Sequence, residues 1–154
     1  MPLADLLAPN AVFPMLRASS KKQVLQELAQ QASLLVDRDP REIFETLLQR
    51  ERLGSTGVGN GIAIPHGKLD NLNKLFGLFA RLEKPIDFES LDGEPVDLVF
   101  LLLAPEAAGA DHLKALARVA RMLRDPDIVE KLRATRDSSM MYAVLTATSA
   151  SNAA

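Results

Sequence analysis

The sequence predicts a single α/β domain with helices packed on a sheet, and three observations carry that prediction. Val96 to Leu103 is a nearly unbroken apolar run after Asp92-Gly93-Glu94-Pro95, which reads as a strand buried on both faces. Several other segments repeat apolar residues at helical intervals behind recognisable capping signals. The order is two helices, several strands, then three helices, and 154 residues fit one compact domain.

Taken in order, Ala11 to Leu16 reads as a short edge strand, where Pro14 is tolerated because an edge can leave a ladder position unpaired. Ser20 with Gln23 has capping-box spacing, and Val24, Leu25, Leu28, Ala29 and Ala32 then face inward on a helix to about Val36. Asp39, Pro40 and Glu42 open a second helix with an Ile43, Phe44, Leu47 and Leu48 stripe, and Gly54 is its expected terminator. Arg50-Glu51-Arg52 falls on the last turn, where cations complement the helix dipole. Five of the eight glycines lie between residues 54 and 67, around a short strand-like Ile62-Ala63-Ile64-Pro65 that ends at His66. Leu75 to Leu82 is a further strand. Asp111 is expected to cap a third long helix with Leu113, Leu116, Ala117, Ala120 and Leu123 inward. Asp125-Pro126-Asp127 opens a short helix to Leu132, and Asp137-Ser138 a last one with Met140, Met141, Val144 and Leu145 inward. The domain spans 1–154, with its core at about 10–145 and a small, polar tail from 146 to 154 expected to fray.

Composition narrows the function classes. Eighteen Lys plus Arg against 20 Asp plus Glu give a formal charge of −2, without the basic footprint of a nucleic-acid binder. There are no cysteines, which excludes disulfides, thiolate metal sites and cysteine nucleophiles. The longest apolar run, Leu98 to Ala104, is far short of the ~20 residues of a membrane-spanning helix. The N-terminus has no basic segment ahead of an apolar one, so a soluble intracellular protein is expected.

The chain has two histidines, both near element ends. His66 follows Pro65 inside the glycine-rich stretch, and His112 follows the expected cap Asp111. A neutral imidazole offers a nucleophilic nitrogen that can accept and release a transferable group. Phosphoryl transfer also needs donors placed in advance for the equatorial oxygens. Arg50, His112, the Ser55 and Thr56 hydroxyls and the glycine-loop amides are the candidates. Each also has a plainer reading: a structural histidine, a solvated last-turn arginine, a first-turn polar residue, tight turns. Gly57-Val58-Gly59-Asn60-Gly61 is followed by a strand where a dinucleotide fingerprint has a helix, and Gly67-Lys68-Leu69 lacks the Ser or Thr of a P-loop. Two distant histidines make a weak metal site, and no Gly-x-Ser-x-Gly elbow is present. The residues by themselves lead to an anion or phosphoryl site centred on a histidine.

The block Arg50-Glu51-Arg52-Leu53-Gly54-Ser55-Thr56-Gly57-Val58-Gly59-Asn60-Gly61-Ile62-Ala63-Ile64-Pro65-His66-Gly67-Lys68-Leu69 resembles the fructose/mannitol-type enzyme IIA domains of the bacterial phosphotransferase system, nearest to the nitrogen-regulatory branch. The resemblance continues through Pro85-Ile86-Asp87-Phe88, Gly93-Glu94-Pro95-Val96-Asp97-Leu98 and Asp111-His112-Leu113, covering roughly residues 10 to 145. It implies an α/β sandwich with a mixed sheet flanked by helices. It also implies that His66 accepts the phosphoryl group, that Arg50 contacts it and that His112 assists, with Ser55 and Thr56 as matching phosphoryl-binding candidates. No metal or bound cofactor is implied.

The resemblance further implies a cytoplasmic relay, in which enzyme I charges an HPr-like carrier (NPr in the nitrogen branch) that charges the IIA protein. Phosphorylation state would then govern potassium-transport or sensor partners. Two other readings stand beside it: a sugar-transport IIA that feeds an enzyme IIB, and a binding module that is never phosphorylated.

Overall fold

The computed structural model describes the backbone of residues 2–153 and the side chains of residues 2–147. Its β-strands are β1 (Leu7–Leu16), β2 (Gly57–Gly59), β3 (Ile62–Ala63), β4 (His66–Leu69), β5 (Phe76–Ile86) and β6 (Val96–Pro105). The helices are α1 (Lys21–Val36), α2 (Pro40–Arg52), α3 (Ala110–Met122), α4 (Pro126–Ala134) and α5 (Ser138–Ala153). The strands form one mixed sheet of order β1-β5-β6-β3-β2, with β4 also paired to β6. β6 is antiparallel to β5 and parallel to both β3 and β4, and β1 lies parallel to β5 at the edge. Among the described residues no helix is long and apolar enough to cross a membrane.

Val96 and Leu98 through Ala104 are fully buried, so β6 is covered on both faces as its apolar run requires. Phe79 and Phe100 face each other across β5 and β6 with ring centroids 6.5 Å apart, a packing pair at the centre of the core. The capping signals are realised as hydrogen bonds. Ser20 accepts from the Gln23 amide at 3.2 Å, Asp39 from Arg41 at 2.9 Å and Asp125 from Asp127 at 3.0 Å. Each satisfies an amide that the first helical turn leaves without a partner.

Several expectations need correction. β1 begins four residues early, at Leu7, because Pro9 and Asn10 break the apolar alternation while Leu7 itself is buried against Gly77. The strand-like segment at Ile62 splits into two: β3 ends at Ala63, and His66 opens β4 instead of closing β3. Asp111 does not cap α3; the cap is Gly109 (φ +56°), with no side-chain bond, and Asp111 is the second helical residue. α3 buries His112, Ala115, Val119 and Met122, whereas Leu113 is 68% exposed and Ala117 is exposed. Met140 likewise faces out, whereas Met141 and Leu145 are buried and Val144 is partly buried against the core. The fraying tail was expected from Thr146, which is helical, its hydroxyl donating to the Tyr142 carbonyl at 2.7 Å. The side chains of residues 148–154 lie outside the described set.

Candidate active site

The site is assembled where α2 ends, where β3 gives way to β4, and where α3 begins. β3 and β4 use the same partner strand in succession, with Ile62 opposite Leu98, Ala63 opposite Val99 and His66 opposite Leu102. Between them the ladder is bridged by the Leu102 amide donating to the Pro65 carbonyl at 3.0 Å. Pro65 has no N–H, so this stretch cannot be a regular strand, and the interruption redirects the chain immediately before His66. The hairpin leading into it turns at Asn60-Gly61, with φ +58° and +82°, the two positive angles that a type I′ turn demands. Its tip is tied down by the Asn60 amide donating to Asp92 at 2.9 Å, and by Arg133 donating to the Asn60 carbonyl at 2.9 Å.

Gly67 decides how near β4 can come to α2. A Cβ there would stand 2.6 Å from Thr46 Cγ2, so only glycine allows this approach. The closeness lets Arg50, on the last turn of α2, reach His66: its Nε–H donates to His66 Nε2 at 3.2 Å. Arg50 Nη1 donates to the Gly54 carbonyl at 2.9 Å, which fixes the guanidinium against the loop. On its other side the imidazole places Nδ1 2.8 Å from the Ile64 carbonyl. A carbonyl only accepts, so Nδ1 carries the ring proton and Nε2 keeps a lone pair directed at the arginine.

Burial is the main influence holding His66 below the ordinary imidazole pKa; the Ile64 carbonyl opposes it and the Arg50 charge adds to it. His112 is brought alongside, with ring centroids 5.7 Å apart at 63°. It is 7% exposed, and its Nε2 is buried without a hydrogen-bond partner. Burial first, then the His66 and Lys68 charges, lower its pKa as well. Arg50, His66 and His112 are thus together, as two neutral imidazoles beside one fixed cation.

Ser55 and Thr56 are differently engaged. The Ser55 hydroxyl donates to the Phe88 carbonyl at 2.7 Å and accepts from the Gly57 amide at 3.1 Å. The Thr56 hydroxyl donates to the Glu51 carboxylate, and the Thr56 amide donates to Glu51 Oε1 at 3.1 Å. Glu51 is the residue that sequence reasoning missed. It sits between two arginines on a last turn and reads as part of a solvated cluster, yet it is 7% exposed and also takes the Lys21 ammonium at 3.0 Å. The only sequence signal was an acid at the helix C-terminal end, where the dipole disfavours one. Among the described residues no three His, Cys, Asp or Glu side chains group to hold a metal ion.

A family model described as "Phosphoenolpyruvate-dependent sugar phosphotransferase system, EIIA 2" matches residues 5–148. The chain belongs to that EIIA family. It is 67% identical over 145 residues to a nitrogen regulatory protein of Bradyrhizobium diazoefficiens, covering 94% of this chain and 95% of that one. A nitrogen regulatory protein of Pseudomonas aeruginosa is 42% identical, covering 93% and 94% of the two chains. The crystal structure of the nitrogen regulatory protein IIA-Ntr from Neisseria meningitidis superposes with a TM-score of 0.88 at 33% identity, covering 94% of this chain and 99% of that one. This EIIA protein is therefore a component of a phosphotransferase system. Its mixed sheet with flanking helices is the EIIA architecture.

Proposed function

We propose that this EIIA protein is a phosphoryl carrier of nitrogen regulation and that His66 Nε2 is its acceptor. The single observation that carries the assignment is the committed tautomer: Nδ1–H bound to Ile64, Nε2 unprotonated and facing Arg50. The lone pair of Nε2 attacks the phosphorus of a phosphohistidine on a carrier protein. The new P–N bond forms as the donor's P–N bond breaks, and that electron pair returns to the donor imidazole. The His66 ring gains positive charge, which the Ile64 carbonyl stabilises through Nδ1–H. Arg50 is freed from Nε2 as it phosphorylates and pairs with the phosphoryl oxygens. His112, whose Nε2 is buried without a hydrogen-bond partner, donates to the same oxygens through an Nε2–H. Loop amides supply further donors, while the Ser55 and Thr56 hydroxyls would first have to leave Phe88 and Glu51.

The relatives named nitrogen regulatory protein support placing this carrier in the nitrogen branch; in that reading it lies downstream of enzyme I and an NPr-like carrier in the cytoplasm. In that reading the phosphorylation state selects regulated partners, potassium-transport or sensor proteins among them. Reconstitution with phosphoenolpyruvate, enzyme I and the carrier, followed by intact mass at alkaline pH, tests it. Wild type should gain one acid-labile phosphoryl adduct and His66→Ala none. An adduct that persists on His66→Ala removes the assignment. Onward transfer to an enzyme IIB with turnover of sugar would instead move the protein to the transport branch.

A further inference from the structure

We infer that Glu51 is a positioning residue for His66, acting through Thr56 and Ile64 to fix which imidazole nitrogen carries the proton. The consequence for phosphoryl uptake rests on the reading of His66 as acceptor; the effect on the imidazole does not. Arg50 and Glu51 are adjacent on α2 and point about 100° apart around its axis. Arg50 addresses His66 directly at Nε2. Glu51 addresses the opposite nitrogen by a chain of contacts. Its carboxylate takes the Thr56 amide at 3.1 Å and the Thr56 hydroxyl. The Thr56 carbonyl accepts the Ile64 amide at 3.0 Å, and the Ile64 carbonyl accepts His66 Nδ1–H at 2.8 Å. One turn of one helix therefore holds the ring from both sides.

The anchor is firm because a carboxylate this buried has to be fully hydrogen-bonded. Besides the two Thr56 donors it has the Lys21 ammonium at 3.0 Å, whose side chain is only 16% exposed. Lys21 is itself held 5.0 Å above the Phe88 ring, with Glu89 as a second carboxylate at 3.7 Å. Phe88 also receives the Ser55 hydroxyl at its carbonyl, so the loop preceding β2 is fastened on two sides. A purely structural Glu51 would affect stability alone. A positioning Glu51 also controls the Ile64 carbonyl, and with it the tautomer and the direction of Nε2. The negative charge of Glu51 itself favours protonation of His66.

The test is nitrogen-15 NMR of the His66 ring in wild type, Glu51→Gln and Thr56→Val, with initial rates of phosphoryl uptake beside it. Glu51→Gln keeps the volume but loses the charge and one acceptor; Thr56→Val keeps the Thr56 amide bond and loses the hydroxyl. Wild type should show one tautomer, protonated at Nδ1. Both variants should show a mixed ring, Glu51→Gln should titrate at lower pH, and uptake should slow about tenfold or more with one adduct per chain at the end point. Folded variants that keep the wild-type tautomer and titration overturn the inference. If Glu51→Gln does not fold, Thr56→Val decides by the same criterion. A redistributed ring in a protein whose wild type takes up no phosphoryl group supports the positioning role and defeats the acceptor assignment instead.

Discussion

Replacing Gly67 by alanine should damage the site from outside it. The added Cβ would lie 2.6 Å from Thr46 Cγ2, while carbon atoms pack at about 3.5–4.0 Å. Thr46 cannot simply rotate away, because its hydroxyl donates to the Glu42 carbonyl at 2.9 Å and fixes the side chain. α2 and β4 must therefore separate by roughly 1 Å. Arg50 lies one turn beyond Thr46, so its 3.2 Å contact with His66 would stretch to about 4 Å and cease to be a hydrogen bond. Overpacking of this kind costs about 1–3 kcal/mol, and a misplacement near 1 Å costs about 10²-fold in rate. For a domain of this size the melting temperature should fall by roughly 2–12 °C. Initial rates of phosphoryl uptake, followed by intact mass, and thermal melts give both numbers. Thr46→Ser removes the opposing methyl and keeps the hydroxyl, so Gly67→Ala/Thr46→Ser should recover most of both losses. A Gly67→Ala protein as fast as wild type, or a double variant no better than the single, would refute this reasoning.

Arg50→Met should slow uptake by about 10²–10³-fold, and should raise the His66 pKa because the guanidinium charge holds it down; an NMR titration reads the second effect. Burial depresses both histidine pKa values, so the unfolded chain binds more protons as the pH drops below about 6.5. Stability is then full above that value and declines as pH falls toward the folded pKa. Urea midpoints at about pH 8 and about pH 5.5 should show the decline, shallower in His66→Gln/His112→Gln. His112→Leu removes a buried nitrogen that lacks a partner, so it should melt no lower than wild type while slowing transfer about 10²-fold. Arg133→Met loses a fork to Asp97 at 2.8 and 3.0 Å and the tether to Asn60; it should cost roughly 1–2 kcal/mol by urea denaturation, with the adduct on His66 retained.

The elements most legible in the sequence were those with local punctuation. Ser20 with Gln23, Asp39 before Pro40 and Asp125 before Pro126 each announce a helix by chemistry confined to a few residues, and each forms the bond it advertises. The Val96 run was legible because burial on both faces leaves no alternation to misread. α3 was not, since it carries two overlapping apolar stripes one residue apart. Leu113, Leu116 and Ala120 make the more apolar stripe, but the structure buries His112, Ala115 and Val119, leaving Leu116 and Ala120 partly buried against the core and Leu113 exposed. Packing against β6 and His66 settles that choice, and no periodicity encodes it. The Asn60-Gly61 hairpin had its turn signal, yet strands of three and two residues are too short to show alternation. At the site, His66, Arg50 and His112 could be singled out by type and by resemblance. The buried role of Glu51 could not, because its partners Lys21 and Thr56 sit on either side in the chain and meet it only after folding.

The shared use of β6 by β3 and β4 bears on how a phosphorylation signal can be transmitted. His66 is not on a free loop; its backbone is registered against Leu102, in a strand with no exposed residue between Leu98 and Ala104, and its neighbour Gly67 is wedged against α2. Such a residue has little room to relocate when it is modified. With His66 as the proposed acceptor, what would change is its electrostatic face: a neutral ring would become a group carrying about −1.5 to −2 charges. Partners that distinguish the two forms would therefore sense a local potential on a rigid surface. Their discrimination should weaken with ionic strength, as recognition of a rearranged fold would not.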